Sequence, residues 1–132
     1  MSVKVSDLTQ KATDYAKAWC SKDPEAVAAH YSPQGEITIN RGEALAGRAA
    51  IAEMATGFHA EFPDLVIYCD DIRTAGDHAV FAWTLEGHHV KTGNHVKLGG
   101  WEEWELDDGM LVRTSKGWFD AKDYEAQIQG AA

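Results

Sequence analysis

Cysteine, proline and basic residues are all scarce in this chain. Its 132 residues hold two cysteines, three prolines and 12 Lys plus Arg against 21 Asp plus Glu, for a formal net charge of -9. Each shortage excludes something. Cys20 lies in a helical pattern and Cys69 in a strand pattern, and two cysteines are too few for a disulfide framework, so both are expected to be reduced and partly buried. The negative charge is spread along the chain, which argues against nucleic acid or an anionic membrane as partner, because both need a basic face. No apolar run approaches the length of a bilayer span, and the opening MSVKVSDLTQ has no apolar stretch that could be a signal peptide. The expected location is the cytoplasm. Repeats, low-complexity segments and linkers are also missing, so residues 1–132 are expected to form one domain around one core.

What is present is ordered. The first third reads helical and the last half reads as strands, the pattern of an α+β fold with segregated layers. Leu8, Ala12, Tyr15, Ala16 and Trp19 recur at helical spacing within a helix from about Asp7 to Ser21. Asp23 then caps, and Pro24 opens, a short helix to about Tyr31. Pro33-Gln34-Gly35 reads as a turn, Glu36 to Asn40 as a short strand, and Gly42 to Gly47 as a loop. Arg48 to Phe62 is a third helix with Ile51, Met54, Ala55 and Phe58 inward. Strands follow at Leu65 to Arg73, Ala79 to Val90, His95 to Leu106 and Met110 to Trp118, and Asp120 to Gln129 closes as a helix.

Lys91-Thr92-Gly93-Asn94 is a hairpin signal. Centred on Thr92-Gly93, it sets Phe81 opposite Trp104, Trp83 opposite Glu102, Leu85 opposite Gly100 and His89 opposite Val96. Phe81, Trp83, Leu85, Leu98, Trp104 and Leu106 then share one apolar face, while Thr84, Glu86, His88, Lys97, Glu103 and Glu105 share the other. Glu102 interrupts the apolar face. A carboxyl there must be hydrogen-bonded, paired or protonated, and burial should raise its pKa toward that of a working acid or base. The competing reading is a structural carboxyl that holds a core tyrosine or the backbone. His88 and His89 point to opposite faces, as do His89 and His95, so no set of converging metal ligands is expected. The last strand stays open. A three-residue loop at Asp107-Asp108-Gly109 turns Val112, Thr114 and Lys116 inward, and a two-residue loop turns Leu111, Arg113 and Ser115 inward.

Several stretches resemble a known family. Tyr15-Ala-Lys-Ala-Trp19 followed by Ser-Lys-Asp-Pro-Glu-Ala-Val, then Leu45-Ala-Gly-Arg-Ala-Ala-Ile51, then Asp108-Gly-Met-Leu-Val112, occur in the order found in the nuclear transport factor 2-like superfamily. That superfamily includes ketosteroid isomerase-like and SnoaL-like polyketide cyclase-type proteins. The resemblance covers nearly the whole chain and implies a cone-shaped α+β barrel, with N-terminal helices packed on a curved, mostly antiparallel sheet. It also implies a homodimer through the sheet, whose outer face keeps Val66 or Ile67, Val80, Ala82, Val90 and Trp101.

Ketosteroid isomerase uses an aspartate base with a tyrosine and a protonated aspartate as oxyanion hole. By resemblance, Tyr15 matches that tyrosine and Glu102, two residues before Trp104, matches the protonated aspartate. The base falls after the short first strand, where this sequence has Asn40, which accepts no proton at neutral pH. Arg113 facing inward would resemble the Asp-Arg-Asp arrangement of the fold's epoxide hydrolases, though no second inward aspartate at matching spacing is evident. The expectation is a small-molecule pocket protein without cofactor or metal, acting by proton transfer next to a carbonyl. Glu102 and Tyr15 are the expected catalytic pair. Trp19, Asn40, Met54, Phe58, Trp83, His89 and Trp104 are the expected contacts to a small apolar molecule with one polar oxygen. The alternative is a non-catalytic dimeric binding or interaction module of the same fold.

Overall fold

An apolar stripe on the first helix and a two-faced sheet need each other, and the fold is their junction. A computed structural model describes residues 5–130; the first four and last two residues of the expected 1–132 domain lie outside the described residues. In chain order the elements are α1 (Val5–Cys20), α2 (Pro24–Ala28), β1 (Tyr31–Ile39), β2 (Leu45–Ala46), α3 (Arg48–Glu61), β3 (Val66–Ala75), β4 (His78–His88), β5 (His95–Leu106), β6 (Val112–Phe119) and α4 (Ala121–Gln129). The six strands form one sheet in the order β2-β1-β6-β5-β4-β3. Only the β1–β6 pair is parallel. This is the expected α+β architecture, with helices on the concave face of a mostly antiparallel sheet. No helix among the described residues is long and apolar enough to cross a membrane.

The α1 stripe is buried as its spacing predicts: Leu8, Ala12, Tyr15, Ala16 and Trp19 all face the sheet or α3. Asp23 caps α2 by accepting from Glu25 N at 3.0 Å, with Pro24 at the first helical position. The Pro33–Gly35 segment is not a turn between elements. It lies inside β1, where the register against β6 shifts between Tyr31 and Glu36. Gly35 is there because a Cβ would sit 2.5 Å from the Val112 carbonyl oxygen. The 42–47 loop contributes the two-residue strand β2, which pairs Leu45 with Ile37.

The β4–β5 register differs from the expected one by two residues. Phe81 faces Glu102, Trp83 faces Gly100, Leu85 faces Leu98 and His88 faces His95. The connection is a wide turn, closed by His89 N to Asn94 O at 3.0 Å and Gly93 N to His89 O at 2.8 Å, with Gly93 left-handed at φ 72°. A shift of two keeps every side chain on its own face, which is why the predicted apolar face survives the wrong register.

The last strand adopts neither alternative alone. Asp107 Oδ1 accepts from Gly109 N at 2.8 Å and Leu111 N at 2.9 Å, so the turn is tight, and the strand then bulges. Leu106 pairs with Val112 but Glu105 pairs with Thr114. The extra residue lets Val112, Ser115 and Gly117 all face inward, while Arg113 points to solvent near Asp77. An inward Arg113 is thereby excluded. Both cysteines are unpaired and half-buried.

Gly100 has a steric reason. A Cβ there would lie 2.5 Å from both the Trp118 carbonyl oxygen and Trp83 Cζ2. Gly100→Ala should therefore destabilise the fold by about 1–3 kcal/mol through overpacking. Urea unfolding checks it: an unchanged midpoint would show that the Trp83 indole moves aside freely.

Candidate functional site

Between α1, α3 and the concave sheet face lies a cavity holding about 580 Å³ of empty space, part of it open to solvent. Its walls follow from the elements. α1 supplies Trp19, α3 supplies Met54 and Phe58, β4 supplies Phe81, Trp83 and Leu85, and Phe119 and Tyr124 come from the end of β6 and from α4. Ile37 and Ile39 of β1, Ile67 of β3 and Leu98 of β5 complete an apolar lining. Glu102 is the one carboxyl in it among the described residues.

Glu102 is 6% exposed, and four side chains from four elements converge on it. Oε1 accepts from Trp104 Nε1 at 2.9 Å, Ser115 Oγ at 2.7 Å and Tyr31 OH at 3.2 Å. Tyr15 OH reaches both oxygens, Oε1 at 3.2 Å and Oε2 at 3.1 Å, and lies 2.9 Å from Tyr31 OH. Oε2 therefore has Tyr15 alone. Burial pushes the Glu102 pKa up, and the donors from Trp104, Ser115, Tyr15 and Tyr31 pull it part of the way back. Burial and the nearby Glu102 charge push both tyrosine pKa values well above the ordinary 10, so both remain phenols that can donate.

Behind the carboxyl, Trp104 is fully buried and stacks on Phe81, centroids 5.2 Å apart and planes 11° apart, with the Tyr15 ring edge-on at 5.3 Å. The Lys11 ammonium lies 5.8 Å from the Trp104 ring centroid and donates to His30 Nδ1 at 3.3 Å and His30 O at 3.1 Å. Burial lowers the Lys11 pKa to about 8 against the pull of Asp107, Glu102 and Asp14. Burial, and then Lys11 itself, lowers His30 to about 4, so His30 stays a neutral acceptor.

The expected contact residues divide into two groups. Trp19, Met54, Phe58 and Trp83 line the cavity with Glu102, and Tyr15 stands behind the carboxyl as its donor. Trp104, Asn40 and His89 do not line it. Trp104 is turned into the core, where its N–H serves Glu102. Asn40 has φ 49° and spends its side-chain oxygen on Phe119 N at 2.9 Å, holding the end of β1 to β6. His89 is 8% exposed, packed edge-on against Phe62 with Glu61 3.4 Å away. Tyr31 and Ser115 are site residues outside the expected set. The sequence predicts Tyr31 at a helix end, and Ser115 faces inward in only one of its two loop alternatives. Among the described residues no group of three or more His, Cys, Asp or Glu is placed to hold a metal.

The sequence pattern of the SnoaL-like domain matches residues 12–114, which include Glu102 and its donors Tyr15, Tyr31 and Trp104, with Ser115 one residue beyond. The chain belongs to the SnoaL-like domain family. No curated protein matches it by sequence. Solved structures share the fold at low identity. TsrD from Streptomyces laurentii superposes with a TM-score of 0.84 at 20% identity, covering 98% of this chain and 99% of that one. A hypothetical protein of ketosteroid isomerase-like fold from Catenulispora acidiphila DSM 44928, solved with trimethylamine, gives 0.83 at 18% identity, covering 90% and 92%. TerC, co-crystallised with polyporic acid, gives 0.78 at 17% identity, covering 92% and 97%. At these identities the likeness speaks for the SnoaL-like fold alone.

The donor cluster makes two substitutions at Glu102 behave differently. Glu102→Leu strands the Trp104 N–H and the Ser115 hydroxyl, and should cost about 2–5 kcal/mol. Glu102→Gln can place its amide oxygen at the Oε1 position and its NH₂ against Tyr15, and should stay within about 1 kcal/mol of the native protein at neutral pH. Because the folded pKa is raised, the Glu102 contribution to stability is fully present below the ordinary value of 4.5 and is lost as pH rises through the raised value. Glu102→Gln removes that loss, so its stability relative to native should improve as pH climbs above 4.5. Melting curves from pH 4 to 8 on the three proteins measure this, and parallel curves for native and Gln variant would contradict it.

Proposed function

We propose that this SnoaL-like protein takes up an apolar small molecule bearing one carbonyl or hydroxyl, with that oxygen against Glu102. The observation that carries the reading is a single carboxyl set in an otherwise apolar cavity. Its raised pKa suits a group that donates a proton to, or hydrogen-bonds, a ligand oxygen. The reaction class this supports is cofactor-independent proton transfer next to a carbonyl, an isomerisation or cyclisation, with Glu102 as acid and Tyr15 as its partner donor. Two relatives of the same fold were solved with small molecules, trimethylamine and polyporic acid, in keeping with a fold that accommodates such ligands.

A second reading, ligand binding without turnover, has its own observation. Asn40, at the position where resemblance puts the isomerase base, holds Phe119 N and does not line the cavity. Glu102→Gln separates the two readings. With a β,γ-unsaturated ketone as substrate, proton-transfer activity should fall by about 10²–10⁴, the usual worth of a positioned acid or base. An inactive native protein that still carries a co-purified small molecule in native mass spectrometry would favour binding alone.

We also propose a homodimer through the outer sheet face and a cytoplasmic location. Tyr68, Val80 and Trp101 are exposed on or beside that face, and Trp101, 43% exposed, stacks over Trp118 with centroids 6.4 Å apart. Two unpaired cysteines suit a reducing compartment. Sedimentation velocity at micromolar concentration should show a dimer, and Trp101→Glu should shift it to monomer. A native monomer at high micromolar concentration would end the dimer proposal.

A further inference from the structure

A glycine inside a strand weakens it, so each one needs a reason: an unusual dihedral angle, a close approach, or space kept empty. Gly117 lies in the interior of β6 on the concave face, directly opposite Glu102. Its backbone is not among those in the left-handed region. Crowding does not explain it either. A Cβ at Gly117 would meet Glu102 Cγ at 3.8 Å, Ile39 Cγ1 at 3.8 Å and Thr38 O at 3.9 Å, all ordinary van der Waals distances. Gly35 and Gly100 are different, because each would drive a Cβ to within 2.5 Å of a backbone oxygen. What remains for Gly117 is space, and it is a lining residue of the cavity.

The neighbours of Glu102 give that space a direction. Across the sheet, Glu102 has Phe81 of β4 on one side and Gly117 of β6 on the other. The Phe81 ring fills its side, stacked on Trp104. Along β6, Ser115 is spent on Glu102 Oε1 at 2.7 Å and Phe119 forms cavity wall. The flank of the carboxyl without a side chain is the Gly117 flank.

We propose that Gly117 is the specificity-determining residue of the cavity: its missing side chain leaves a slot beside Glu102 through which the edge of a flat, oxygen-bearing ring reaches the carboxyl. This rests on the cavity reading above and deepens it. It selects phenols, enols and cyclic enones, whose oxygen lies in the plane of the ring. Bulkier molecules with tetrahedral carbon around the oxygen are disfavoured. Ile39 and the Glu102 stem are the two sides of the slot, so a single methyl at position 117 occupies it without displacing the strand.

The test compares 2-naphthol with naphthalene, a pair differing by the hydroxyl. Calorimetric titrations would use native protein, G117A, G117V and E102Q, with a melting curve for each. Native protein should prefer 2-naphthol by about tenfold, the worth of a hydrogen bond to an ionisable group, and E102Q should lose most of that preference. G117A should fold with a melting temperature equal to or above native, bind naphthalene within about threefold of native, and lose the hydroxyl preference as E102Q does. G117V should lose it completely. If native prefers 2-naphthol, E102Q abolishes the preference and G117A retains it, the slot is overturned while the cavity reading stands. A G117A protein that does not fold also overturns it, because the slot is argued to have room for a methyl. Native protein that binds neither probe, or an E102Q variant with the preference intact, overturns the cavity reading and the slot with it.

Discussion

Before this core can close, a carboxyl on the concave face of the sheet must be given hydrogen-bond donors. Left bare, its burial would cost more than most single apolar contacts return. The donors to Glu102 come from α1 (Tyr15), β1 (Tyr31), β5 itself (Trp104) and β6 (Ser115). Each carries a geometric demand on its element. α1 must lie across the sheet at one rotation, and β1 must begin at Tyr31. β6 must also bulge, because without the bulge Val112 and Ser115 could not both point inward. One polar group thereby ties the helix layer to three strands, where apolar contacts alone would tolerate sliding.

The same cluster accounts for the cavity beside it. Trp104, Phe81 and Tyr15 are locked edge-to-face and stacked, and Trp104 is held further by its bond to Glu102. Rings fixed in this way cannot relax toward the empty space as flexible aliphatic chains would. Further along β4, Trp83 lies over Gly100, close enough that even a methyl there would strike it. The part of the cavity border made by Phe81 and Trp83 is thus held by rings with other commitments.

Much of this was legible in the sequence, for physical reasons that differ by element. Helical periodicity exposed the α1 stripe with Tyr15 and Trp19. Strand alternation exposed the apolar face of β4 and β5 and singled out Glu102 as its one charged residue. Alternation has period two, so it is blind to a register shift of two, and the Phe81–Trp104 pairing inferred from the turn was displaced to Phe81–Glu102. Bulges leave no mark on alternation until a partner strand is known, so Ser115 and Gly117 could not be placed. Resemblance puts Asn40 at the ligand, and strand alternation puts His89 and Trp104 there, on the apolar face. Their hydrogen bonds and packing commit them elsewhere, to Phe119 N, to Phe62 and Glu61, and to Glu102.

The position of one proton decides what chemistry such a site can do. Trp104 Nε1 has only a hydrogen to offer, and it points at Oε1 with Ser115 and Tyr31 beside it. Oε1 is therefore the acceptor in either protonation state, and a proton on the carboxyl belongs on Oε2. From there it has two destinations. It can donate to Tyr15 O, whose hydrogen then passes to Tyr31 O and whose partner returns to Oε1, a closed ring over 3.1, 2.9 and 3.2 Å. Or it can donate to an oxygen in the cavity, with the tyrosines turning back to stabilise the carboxylate that remains. Under the proposed function, the ring would hold that proton while the cavity is empty and give it up to a ligand acceptor. Such an exchange would move one proton toward the ligand, and among the described lining residues there is no second carboxyl to act as a separate base, nor can Asn40 serve. A reaction that must also remove a proton from carbon would have to return it through the same Oε2, one carboxyl acting first as acid and then as base.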